Sequence, residues 1–172
     1  MSLITLNKLA LPTGSVLQVV SSTKTDDFSM TGQTWTDTGL SVDITPLSTS
    51  SKILITGFAS LNADSSASLA QYRLYRNDTT ALSIADTSGS RLTTTSFSYA
   101  GDTGLSVENT FFTLGINFLD TPSTTSSTNY AIYIRSTGGS NTSRMNKTLS
   151  DRNTATVDPR ATSTITATEI KG

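Results

Sequence analysis

Leu40, Val42 and Ile44 alternate with Ser41, Asp43 and Thr45, and Pro46 closes the run. This period of two restricts the fold more than any other feature, because only an extended strand sends every second side chain to one face. It recurs. Ala70, Tyr72 and Leu74 alternate with Gln71, Arg73 and Tyr75, and Tyr130, Ile132 and Ile134 alternate with Ala131, Tyr133 and Arg135. Residues 52–61, with Ile53, Leu54, Ile55 and Phe58, are apolar enough for a central strand, and residues 164–170 form a last one. The most apolar stretch holds Phe111, Phe112, Leu114, Ile116, Phe118 and Leu119. Val16 and Gln18 face one way and Leu17 and Val19 the other, which predicts a first strand covered on both sides.

Turn chemistry separates these runs. Thr25, Asp26 and Asp27 precede Phe28, and a Ser/Thr cluster at 48–51 makes a loop. Asn77, Asp78, Thr79 and Thr80 read as a tight turn into Leu82 and Ile84, giving a hairpin. Pro122 with six Ser/Thr residues forms another loop, and Gly138, Gly139 and Pro159 mark further breaks. Residues 86–108 read as long loops with short strands. Eight or more short strands, with nothing of helical period, predict an all-β sandwich of jelly-roll type spanning 15–172. Residues 1–14, with Leu3, Ile4, Leu6 and Leu9 before Pro12 and Gly14, are either a docking or strand-exchange arm or a frayed terminus.

Composition narrows the chemistry. The chain has 172 residues, enough for one core, and about a third are Ser or Thr, as suits polar sheet faces. Disorder is disfavoured because the net charge is only −1. With no run of Lys or Arg, nucleic acid is not an expected partner, and no signal peptide or membrane span is expected. The chain has no His and no Cys, which removes Ser-His-Asp and Cys-His systems and nearly all zinc sites. No cofactor is expected. Acids such as Asp26, Asp27, Asp86 and Asp120 are scattered in loops without a calcium-loop pattern, and a glycosidase pair could arise only from distant positions. The single tryptophan, Trp35, reads as a core anchor rather than a ligand-stacking platform, since Thr34, Thr36 and Asp37 beside it are ordinary edge polarity. Tyr72, Tyr75, Tyr99 and Tyr133 read as cross-strand packing before sugar stacking.

Several segments, in order, carry a resemblance. They are 11–20 (LPTGSVLQVV), Trp35 followed by 39–46 (GLSVDITP), 50–55 (SSKILI), 118–122 (FLDTP) and 163–170 (STITATEI). Together they resemble a family of virion structural proteins of tailed bacteriophages, especially phages of marine cyanobacteria, described as tail fibre, head fibre or otherwise unassigned. By analogy with viral and C1q/TNF-like knobs, the resemblance implies a jelly roll that forms homotrimers. The chain departs from a complete tail fibre in having no repeats, no collagen-like period and no heptads.

The resulting expectation is a non-enzymatic, trimeric knob, short fibre or capsid or tail decoration protein on the virion exterior, assembled in the host cytoplasm. It would dock on other virion proteins through the arm carrying Leu3, Ile4, Leu6 and Leu9. Phe111, Phe112, Tyr130 and Tyr133 are the candidate lining of the oligomer interface. The alternative is a host-recognition module binding surface glycan through loops 86–104 and 121–129. A carbohydrate-active enzyme using paired loop carboxylates comes third.

Overall fold

The computed structural model describes residues 10–64, 69–99, 111–154 and 157–172, so the arm residues Leu3, Ile4, Leu6 and Leu9 lie outside the described residues. Its strands are β1 (Val16–Lys24), β2 (Phe28–Thr31), β3 (Thr36–Ile44), β4 (Lys52–Ala63), β5 (Leu69–Arg76), β6 (Thr80–Leu82), β7 (Ser96–Tyr99), β8 (Phe112–Asp120), β9 (Thr128–Ser136), β10 (Thr142–Met145) and β11 (Ser163–Ile170). All pairings are antiparallel.

The strands form two sheets. In the first, β11 lies between β1 and β4, and β8 pairs with the other edge of β4. In the second, β9 lies between β3 and β5, and β7 pairs with the far edge of β5. Strand orders β1-β11-β4-β8 and β3-β9-β5-β7 interleave the first and last strands of the chain, which is the double Greek key of a jelly roll. The fold expected from the alternating runs is the fold observed.

The inward positions are those the alternation marks. Leu40, Val42, Ile44, Tyr72, Leu74, Tyr130, Ile132 and Ile134 from the second sheet meet Ile53, Ile55, Ala59, Leu61, Ile116, Ile165 and Ala167 from the first. Hydrogen bonds tie the sheets together as well. The Tyr72 hydroxyl donates to the Gly115 carbonyl (2.6 Å), and burial pushes its pKa up to about 12. Buried Asp120 accepts from Arg76 (2.8 Å) and from the Tyr130 hydroxyl (2.7 Å), joining β8 to β5 and β9. Asp120 is therefore the last residue of a strand and half of an ion pair, not a loop acid. Glu169, fully buried on β11, accepts from Gln18 (2.6 Å), the Leu47 amide (2.7 Å) and Ser51 (2.6 Å). These neutral donors replace the water that a buried carboxylate loses.

Three local features correct the sequence reading. A register shift between Val16 and Gln18 turns both Leu17 and Gln18 toward the interior and leaves Val16 and Val19 outside, 55% and 58% exposed. The first strand is thus covered on one side only, because a bulge breaks the alternation on which the two-sided reading relied. The Asn77–Asp78 turn forms as expected, with φ of 49° and 59° and the Thr79 amide donating to the Arg76 carbonyl, but its return strand ends at Leu82 and Ile84 is exposed. The short strands β2 and β10 lie where the sequence reading places no strand. They pair through four residues each, buried at Met30 and Met145. Gly57, within β4, is required by close approach, since a Cβ there would overlap the Thr164 carbonyl oxygen of β11.

Candidate functional site

The outward face of the second sheet gathers the polar half of the same alternation. Gln71, Arg73 and Tyr75 of β5 stand beside Ala131, Tyr133 and Arg135 of β9, with Gln71 opposite Arg135 and Arg73 opposite Tyr133 in register. Both arginines reach over the ring of Trp35, just before β3. The Arg73 guanidinium carbon is 4.5 Å from the centre of the Trp35 ring and that of Arg135 is 5.8 Å away. Trp35 is half-buried, so it is not the core anchor expected from its neighbours; it caps the sheet from outside and packs under charge rather than under aliphatic side chains.

Arg73 is held on several sides. Its Nε and Nη2 donate to the Thr93 carbonyl (3.0 and 2.5 Å), Nη2 also to the Thr93 hydroxyl, and Nη1 lies 3.4 Å from the Tyr75 hydroxyl. Thr93 belongs to the segment between β6 and β7, which runs along β5 through the Thr95 amide bond to the Tyr72 carbonyl. Arg135 donates from Nε to the Ser136 carbonyl (3.2 Å). Burial lowers its pKa, and the Arg73 charge beside it acts in the same direction. The Tyr75 and Tyr133 rings meet at 4.5 Å between centroids, the cross-strand packing expected of them. Burial, followed by a hydrogen bond to Asp78, pushes Tyr133 up to about 12. A strip of Arg135, Trp35, Arg73, Tyr75 and Tyr133 thus crosses the face.

The outward face of the first sheet is different. Val16, Val19, Ser21 and Thr23 of β1, Thr164, Thr166, Thr168 and Ile170 of β11, Leu54, Thr56 and Phe58 of β4, and Thr113, Gly115, Asn117 and Leu119 of β8 point outward. None of them is ionisable; Lys52 stands at one end, and the Arg144–Asp64 pair (3.0 Å) at the other. Hydroxyl pairs Ser21–Thr166 (2.9 Å) and Thr23–Thr164 (3.0 Å) run across β1 and β11.

The four candidate interface residues do not share a surface. Tyr130 has no exposed area and is engaged by Asp120, so it serves the protomer's own core and cannot line a contact with another copy. Its place in the alternation already puts it with Ile132 and Ile134. Tyr133 lies on the strip. Phe111 and Phe112 are half-buried at the start of β8, in the other sheet.

The acids considered for metal binding or hydrolysis are mostly answered by cations. Asp26 pairs with Lys24 (2.8 Å). Asp27 pairs with Lys147 (2.8 Å) and Arg160 (2.7 Å), Arg160 also reaches Asp151 (2.8 Å), and Arg152 holds Asp158 (2.7 Å). Among the described residues no group of three or more acidic side chains is placed to hold a metal ion. Of the loops considered for glycan binding, residues 100–104 lie outside the described residues, while Thr93 contributes to the strip. The signal that could have found the strip is the pair of arginines at outward positions of strands with apolar inward faces.

Among the described residues no helix is long and apolar enough to cross a membrane. No family model matches the chain, and no curated protein matches it. Among solved structures it is similar to a chain from the structure of the infectious bursal disease virus Gt strain, at 14% identity and a TM-score of 0.47, over 99% of this chain and 47% of that one. It is also similar to a chain of the T=1 particles derived from infectious bursal virus, at 13% identity and a TM-score of 0.41, over 90% of this chain and 40% of that one. The protein spans less than half the length of either.

Proposed function

We propose that this protein is a structural component of a bacteriophage virion, a knob, short fibre or decoration protein on the particle exterior. It acts by assembling with copies of itself and with other virion proteins rather than by catalysis. The observation that carries this reading is the outward face of β1, β11, β4 and β8, a jelly-roll face with no ionisable side chain between its two ends among the described residues and with Val16, Val19, Phe58 and Leu119 exposed. Such a face can meet a second copy without like-charge repulsion, whereas the arginine strip cannot. The ordered sequence segments that resemble tailed-phage virion proteins point to the same role.

In this reading three copies associate through the uncharged face, with Phe111 and Phe112 at the start of β8 contributing to its border. Residues 1–14 dock on a capsid, neck or tail protein through Leu3, Ile4, Leu6 and Leu9. The Gly14 amide donates to the Lys171 carbonyl (2.8 Å), so the arm departs beside the end of β11 and the exposed Val16. Sedimentation of the purified protein at micromolar concentration should give a trimer, and a monomer would overturn the oligomer. Deleting residues 1–14 should leave the trimer intact and abolish its incorporation into particles; unchanged incorporation would remove the arm's role. Location by cryo-electron microscopy of the intact particle would test the exterior position.

A second reading, recognition of a host-surface glycan, is favoured by the half-buried aromatic and guanidinium strip on the opposite face.

A further inference from the structure

We infer that the outward face of β5 and β9 is a binding site for an acidic saccharide, whose carboxylate or sulfate group sits on Arg73 and Arg135 while its ring packs beside Trp35. This rests on the glycan-recognition reading and deepens it.

The charge pattern is the first reason. Arg76 is answered by Asp120, Arg144 by Asp64, and Arg160 by Asp27 and Asp151. Arg73 and Arg135 share one indole ring, and among the described residues no carboxylate pairs with either. Two half-buried like charges this close repel, and an anion between them removes the repulsion.

The second reason is preorganisation. Thr93 and the face of Trp35 fix the Arg73 guanidinium, and Arg135 is anchored only through Nε, which leaves its terminal nitrogens without a partner among the described residues. A planar fork of N–H donors fits a carboxylate or sulfate edge in two-point contact.

Gln71 distinguishes a sugar from a bare anion. It lies opposite Arg135 in register and opposite Phe97 on its other side, and it is 7% exposed. Its Oε1 is buried without a hydrogen-bond partner. An acceptor left unpaired is costly, and a hydroxyl next to the anionic group would satisfy it, whereas inorganic sulfate offers no such proton. Trp35, Tyr75, Tyr133 and the 54% exposed Phe97 supply apolar surface for the C–H face of a sugar ring.

The test uses the full chain and defined probes: oligogalacturonate, sialyllactose and a sulfated disaccharide, each against its neutral counterpart, in a direct binding measurement. The acidic forms should bind and the neutral forms should bind about tenfold or more weakly, the loss expected when charge-assisted hydrogen bonds are removed. Arg135→Gln should abolish the difference, and Arg135→Lys, which keeps charge but not the fork, should retain only part of it; both should melt like the parent. Equal binding of acidic and neutral sugars, or an acid preference unchanged in Arg135→Gln, overturns the inference and leaves glycan recognition standing. Displacement by inorganic sulfate or by a single-stranded oligonucleotide at the same concentration as the sugar also overturns it. Retention of no glycan at all removes both readings.

Discussion

The two outward faces of the sandwich come from strands of the same pattern and share one core, yet they carry opposite chemistry. On the first sheet the outward positions are Thr, Ser, Asn and Gly with Val, Leu, Ile and Phe, two hydroxyl pairs join β1 to β11, and among the described residues charge is confined to the ends. On the second, β5 and β9 present Arg73, Arg135, Tyr75, Tyr133 and Gln71, with both guanidinium groups over Trp35, while the β3 edge beside them carries Asp37, Ser41 and Asp43. An uncharged, partly apolar face loses little on desolvation and suits contact with another copy. A face with two guanidinium groups that pair with no carboxylate among the described residues is costly to bury against itself and suits a ligand with an anionic group. In the proposed reading, this contrast assigns assembly to one face and recognition to the other.

Adjacent residues of β4 give the sharpest way to break this comparison. Ile55 points into the shared core and has no exposed area, so Ile55→Ala should destabilise the protein by about 4 kcal/mol, within the usual range for deleting a buried aliphatic side chain, and should impair both faces together. Denaturant midpoints would measure it; a loss confined to one face would show that the faces do not depend on the common core. Thr56 points outward, and Thr56→Glu should weaken self-association by about 3 kcal/mol through like-charge repulsion while the protomer's melting temperature and glycan binding stay unchanged. Unchanged association would move the interface elsewhere.

On the other face, Trp35→Ala should cost about 1 kcal/mol of stability, the worth of a partly exposed cation–π contact, and should leave sedimentation as it is. The smallest effect belongs to neither face and serves as a control. The Lys147 hydrogen bond lowers the Asp27 pKa, with Arg160 helping and burial opposing. A folded-state pKa below the unfolded value means that this contribution is present above about pH 4 and is lost as pH falls through the folded value. The melting temperature should therefore drop slightly on acidification below about pH 4, less so in Asp27→Asn, because the pair is partly open to solvent and screened.

Much of the fold is legible in the chain. The runs around Val42, Leu54, Tyr72, Ile116, Ile132 and Ile165 are strands at the positions where alternation places them, because the period of a strand is a local property. The turn at Asn77 and Asp78 is legible for the same reason, since these residues tolerate positive φ. What escapes is non-local. β2 and β10 are four residues each and exist through pairing with one another and with the end of β4, so their sequences look like loops. The bulge at Leu17 puts Val16 and Val19 on the same outward side, and no local signal marks it. Trp35 looks like core by residue type, and only the positions of Arg135 on the adjacent β9 and Arg73 on β5, two strands away, show otherwise.

The candidate site divides in the same way. Tyr130 shares its parity with Ile132 and Ile134, so alternation alone assigns it to the core, and an interface role for it conflicts with that pattern. Arg73, Arg135 and Trp35 come from three separate parts of the chain, and nothing local brings them together. Sequence by itself determined that this protein is made of strands, where most of them run, and that its chemistry excludes His- or Cys-based catalysis. Tertiary structure alone decided which outward face is charged, because alternation assigns side chains to two sides of a strand while the order of strands in each sheet determines which side chains become neighbours.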